Sequence, residues 1–111
     1  MKRGEAWWAE YPPYSTQEHL VVLLSWDSHL VYRSLITIAP ITTTIRDLDA
    51  EVHLDIKDGL LHPCVVNLDA ITTIERNLLK RRLCLLPPER IGQIDRAIHL
   101  ALDMNLPCKV W

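Results

Sequence analysis

From Glu5 to Leu86 the chain is a run of short apolar segments, each broken within a few residues by proline, glycine or a polar cluster. Only after Pro87 does an apolar spacing of three and four residues set in. Strand-like segments on short connections, followed by one helical pattern, restrict the fold to an α+β, mainly β domain. The simplest arrangement is a strongly curved sheet with the helix against it.

"EAWWAEY" opens the series, "HLVVLLSW" follows the Pro12-Pro13 break, and "SLITIAPI" follows a polar stretch around Asp27 to Arg33. "AEVHLDI" alternates, placing Val52, Leu54 and Ile56 on one face and Glu51, His53 and Asp55 on the other. Asp58-Gly59 supplies a turn, "CVVNLDAITTI" reads as one further strand, and "LLKRRLCLL" as a strand with a basic centre. This gives five or six strands. Pro87 and Pro88 suit a helix start, and Glu89 suits the N-terminal dipole. Ile91, Ile94, Ile98, Ala101 and Leu102 form its apolar stripe, and Asn105 and Pro107 end it.

With 111 residues the chain is expected to form a single domain, 1–111, with no repeat, linker or low-complexity segment. A net charge of -2 argues against non-specific polyanion binding, so any nucleic-acid site must be a local patch. Cys64, Cys84 and Cys108 are odd in number and widely spaced, which suggests reduced, mostly buried thiols rather than disulfides or a zinc site. No apolar run is long enough to cross a bilayer, and "MKRGEAWW" lacks the apolar core of a signal peptide, so a cytoplasmic protein is expected.

The polar residues with chemical potential are few. "IAPITTT" sets Thr42, Thr43 and Thr44 at the mouth of an apolar strand. β-Branched threonine suits a strand end, but a row of hydroxyls also suits a phosphate backbone. Lys80, Arg81 and Arg82 are the most basic cluster, either a solvated strand face or phosphate contacts. Trp7 and Trp8 could stack on bases; as adjacent strand residues they face opposite ways, so at most one can do so. His53, His62 and His99 have no metal-ligand spacing and read as structural.

Several stretches taken together resemble the MazF/PemK (Kid) toxin family: "MKRGEAWWAEYPP", "IAPITTTIRDLDAEVHLDIKDGLLHPCVVNLDAITTI", "LLKRRL" and "PPERIGQIDRAIHLALDM". Each motif is weak alone; their order and spacing cover nearly the whole chain. The resemblance implies a curved antiparallel barrel-like sheet with a C-terminal helix, and a homodimer. It also implies a toxin that cleaves single-stranded RNA without metal or other cofactor and is blocked by a cognate small antitoxin. Thr42 matches the family's active-site threonine. The family's loop arginine falls on His19 and its proline on Leu20, in a shortened loop; a later asparagine falls on Leu30 and another arginine on Thr72.

On this resemblance Thr42 and His19 are the candidate catalytic residues, histidine being the side chain that titrates near neutral pH. Gln17 and Glu18 beside it, with Thr43, Thr44, Arg46 and Arg81, are the candidate RNA contacts. Two other readings stay open: a gyrase poison similar to CcdB, to which the terminal "PCKVW" invites comparison, and a dimer that binds antitoxin without cleaving RNA.

Overall fold

The computed structural model describes residues 1–10 and 17–104. The Pro12-Pro13 break, Cys108, the helix-ending Asn105 and Pro107 and the "PCKVW" tail lie outside them. The elements are β1 (Glu5–Ala9), β2 (His19–Leu23), α1 (Asp27–Tyr32), β3 (Leu35–Thr42), β4 (Glu51–Leu54), β5 (Cys64–Asn67), β6 (Thr72–Glu75), β7 (Leu79–Leu85) and α2 (Pro88–Ala101). The sheet is antiparallel in the order β4-β5-β3-β2-β1-β7, with β6 also pairing to β3. Among the described residues no ladder joins its two ends, so the expected barrel-like sheet is curved but open.

β3 is the central strand and serves two neighbours along one edge. Leu35 to Ile38 pair with β6, whereas Ile41 and Thr42 pair with β5. Pro40, which has no N–H to give to a ladder, lies between the two stretches. The segment "CVVNLDAITTI", expected as one strand, is therefore two. The Asn67 side chain accepts from Asp69 N at 3.0 Å and starts a 3-10 turn over Leu68–Ala70, which carries the chain from one stretch of β3 to the other.

Strand alternation gives the sheet two buried faces. In the ladder Val22 sits between Ala6 and Ala39, and this face carries Leu54, Val66 and Leu86 together with Ile94 and Ala97 of α2. The opposite face gathers Val21, Leu23, Ile36, Ile38 and Ile74 around Leu30. Each fully buried aliphatic side chain contributes about 1.5–3 kcal/mol, so both clusters matter to stability.

Leu30 comes from α1, where a polar connection was expected. Six residues are too few to show a helical period, yet the helix exists because it seats Leu30, 1% exposed, in the second cluster. Other expectations need local correction. Ile56 is exposed because the chain leaves β4 for a 3-10 turn at Ile56–Asp58, and Glu51 is buried rather than facing solvent. In α2, Ile91, Ile98 and Ala101 pack on the first cluster as the period implies, but Leu102 is exposed just past the helix end.

α2 is held by charge as well as by its apolar stripe. Arg90 Nε donates to Asp58 Oδ2 at 3.0 Å; Asp58 also accepts from Asp55 N, closing a capping box on the 3-10 turn. Arg3 pairs with Asp95 at 2.8 Å from the other side.

Candidate active site

The end of β3 lies between the start of β2 and the segment leading into β5. A cleft of about 290 Å³ opens there. Thr42 and Thr43 stand in it at the end of β3, Glu18 and His19 come from the β2 side, and Leu60 to His62 form the far wall. Trp8 of β1 and Cys64 of β5 complete it. Four of the expected site residues thus meet: Thr42, His19, Glu18 and Thr43.

Their local geometry decides what each can do. The Thr42 hydroxyl oxygen accepts from Thr44 N at 3.1 Å, a short turn that closes β3. That bond uses an acceptor lone pair and leaves the O–H proton for a ligand oxygen. His19, exposed as the first residue of β2, lies two places before Val21, which pairs with Pro40, two places before Thr42. The strand ladder therefore brings the imidazole and the hydroxyl to the same end of adjacent strands.

Arg81 reaches the rim from β7. Its Nη2 donates to Glu18 Oε2 at 2.7 Å, and its guanidinium lies 5.4 Å from the centre of the Trp8 ring. Trp8 pairs in the ladder with both Leu20 and Arg81, which is why one ring touches both cleft and cation. Trp7 takes the other face, packing on the second cluster and donating Nε1 to Glu5 Oε1 at 3.1 Å. Opposed faces are what alternation requires, and Trp8 is the one that meets the cleft. Of the neighbouring cations, Arg82 is turned to Glu5 at 2.8 Å and Lys80 Nζ to Asn77 O at 3.2 Å.

Gln17, Thr44 and Arg46 do not line the cleft. Arg46 lies in the loop after β3, where buried Glu51 accepts from the backbone N–H of Arg46 at 3.0 Å and of Leu48 at 3.3 Å. His53 pairs with Asp47 at 3.4 Å and His99 Nδ1 lies 2.8 Å from Asp95 O, both away from the site. His62, which its spacing marked as structural, lines the cleft instead. Its signal is position: it stands between the Gly59 turn and the start of β5, but nothing local reveals that β5 borders Thr42.

Cys64 at the base of the cleft is not a nucleophile at neutral pH. Burial, with the carboxylates of Asp58 and Asp55 and the Cys84 thiol nearby, pushes its thiol up to about 11. Among the described residues no group of three or more His, Cys, Asp or Glu is placed to hold a metal ion, and no helix is long and apolar enough to cross a membrane.

An open, curved antiparallel sheet with a terminal helix is the fold of a known class of small toxins. The Mycobacterium tuberculosis toxin MazF-mt6 has the same fold, with a TM-score of 0.83 at 29% identity over 92% of this chain and 99% of that one. An endoribonuclease in complex with its cognate antitoxin from Mycobacterial species shares the fold at a TM-score of 0.84 and 21% identity, covering 96% and 99%. The chain belongs to the PemK-like, MazF-like toxins of type II toxin-antitoxin systems, whose family model matches residues 2–102. The probable endoribonuclease MazF5 of Mycobacterium tuberculosis is 35% identical over 104 residues, 93% of this chain and 94% of that protein. This membership favours the MazF/PemK reading over the gyrase-poison one.

Proposed function

We propose that the chain is a metal-independent, sequence-specific endoribonuclease that cleaves single-stranded RNA in the cytoplasm, acts as a homodimer and is silenced by a cognate small antitoxin. The observation that carries the reading is that Thr42 and His19 line one open cleft, with the Thr42 hydroxyl oxygen accepting from Thr44 N so that its proton is left to donate. Cleavage by the neighbouring 2′-OH raises negative charge on the phosphate oxygens, and a fixed O–H donor at that point stabilises the charge as it develops. His19 serves as a proton-transfer group in place of the arginine that the family pattern has there. It lacks the permanent bidentate charge of a guanidinium, so phosphate binding falls to other groups, with Arg81, paired to Glu18 at the rim, a candidate.

Trp8 supplies a π-face where a base can stack, an interaction worth about 1–3 kcal/mol per base. The antitoxin is best matched by an acidic segment that orders in the groove and competes with RNA for the Arg81 rim. Purified protein incubated with single-stranded RNA in EDTA tests the reading, with the RNA ends mapped by primer extension. Cuts at a repeated short sequence are expected. RNA left intact by a folded protein that binds its antitoxin would leave a non-cleaving dimer, and activity abolished by EDTA and restored by magnesium would overturn the metal-free mechanism.

A further inference from the structure

We infer that His62 is a second proton-transfer group of the cleft, working across Thr42 from His19. The inference rests on the RNA-cleaving reading above and adds a residue to it. β3 lies between β2 and β5, so its last residue, Thr42, has His19 at the start of one neighbour and His62 just before the start of the other. Both imidazoles line the same cleft as the Thr42 hydroxyl. A phosphate held by that hydroxyl would have one imidazole on each flank.

The His62 segment is anchored at both ends. Gly59 turns the chain at φ +102°, Leu60 is buried at 3% exposure, Pro63 fixes its own φ, and Cys64 begins β5 at 4% exposure. An exposed side chain on a short, doubly anchored loop keeps its place without being locked in the core. The remaining ionisable groups of the cleft are poorly suited to the task. Glu18 is ion-paired to Arg81 at 2.7 Å, and Cys64 is a buried thiol held protonated at neutral pH.

Transesterification needs two proton movements. One group removes the 2′-OH proton as O2′ forms a bond to phosphorus; the P–O5′ bond breaks, its electron pair stays on O5′, and a second group gives that oxygen a proton. The products are a 2′,3′-cyclic phosphate and a 5′-hydroxyl, with no net change in protons and no added reactant. One imidazole on each flank of the phosphate provides for both steps.

The test uses two RNA substrates of one sequence, one ordinary and one with sulfur in place of the bridging 5′ oxygen at the cut. Thiolate leaves without a proton, so a missing acid no longer matters while a missing base still does. We expect His19→Ala and His62→Ala each to slow cleavage of ordinary RNA at least about a hundredfold, and the sulfur substrate to restore one variant and only one. His62→Gln, tested alongside with the melting temperature of each variant, separates loss of the imidazole from loss of fold. A His62→Ala rate equal to wild type on ordinary RNA overturns the pair, as does the same defect of both variants on both substrates. Wild type inert on both RNAs would instead remove the ribonuclease reading itself.

Discussion

Arg81 on β7 and Glu18 just ahead of β2 meet at 2.7 Å across 63 residues of sequence, with the guanidinium set 5.4 Å from the Trp8 ring centre. The pair is solvent-exposed on the arginine side, 62% against 29% for Glu18, so it adds at most about 1 kcal/mol to stability. Its effect falls on binding. Glu18→Gln should release Arg81 for phosphate and tighten RNA, whereas Arg81→Ala should weaken RNA binding and lower the salt slope of log K by about one. Fluorescence anisotropy with a labelled RNA at several salt concentrations measures both; equal affinities for the two variants would remove Arg81 from the interface.

Thr42→Val keeps the shape of the side chain and removes its donor. If the hydroxyl stabilises the transferring phosphoryl group, the barrier should rise by about 2.7–4 kcal/mol, as for the loss of one oxyanion-hole donor. Thr42→Ser keeps both the donor and the acceptor that receives Thr44 N, and should stay within about tenfold of wild type. Single-turnover cleavage rates decide it: a serine variant as slow as the valine one would make the β-methyl, not the hydroxyl, the important group.

His19→Arg restores the residue that the family pattern has at this position. A faster enzyme would mean that the imidazole is a weakened substitute. A slower one would mean that the short loop and His19 form a site of their own, which is the outcome expected here because His62 offers the imidazole a partner across Thr42. Initial rates on one RNA at fixed pH distinguish the two.

Glu5 gives the fold a pH dependence whose sign is fixed. Burial alone would raise its carboxyl, but hydrogen bonds from Arg82, Trp7 and the Lys2 N–H, with the charge of Arg82, outweigh burial and hold it below its usual 4.5. A depressed carboxyl stabilises the folded state above the unfolded value and loses that contribution as pH falls through the folded one. Glu5→Gln should therefore lower stability at pH 7, by about 1–3 kcal/mol because Arg82 can turn to solvent once freed. The gap to wild type should close as pH drops below about 4. Urea melts at pH 7 and pH 3 check this; an unchanged gap would mean the carboxylate is not what holds β1 to β7.

Gly59 and Gly92 should answer alanine with opposite signs. Gly59 has φ +102°, and an added Cβ would lie 2.9 Å from Cys84 Cβ and 3.0 Å from Cys84 Sγ, so Gly59→Ala should destabilise by about 1–3 kcal/mol. Gly92 is in α2 with nothing within 4 Å of the added carbon, so Gly92→Ala should stabilise by about 0.5–1 kcal/mol. Chemical denaturation of the two variants measures the contrast, and a loss at both positions would contradict the open space beside α2.

Much of this domain is written locally. Apolar runs, turn residues and the terminal 3.6-residue period suffice to place six of the strand segments and α2, because burial on one face imposes those periods on the chain itself. The opposed faces of Trp7 and Trp8 follow from the pleat alone. The resemblance to the MazF/PemK pattern makes Thr42 and His19 candidates for one site, and the strand ladder brings them to the same end of neighbouring strands. What local pattern could not give are the features owed to partners distant in sequence. α1 is helical because the second cluster has room for Leu30, β5 and β6 are separate because β3 offers two stretches of edge, and Glu51 is buried because two backbone N–H groups of the loop converge on it. His62 belongs with them: its residue type was legible, its place was not, since only the pairing of β5 with β3 carries it to Thr42 across twenty residues of chain.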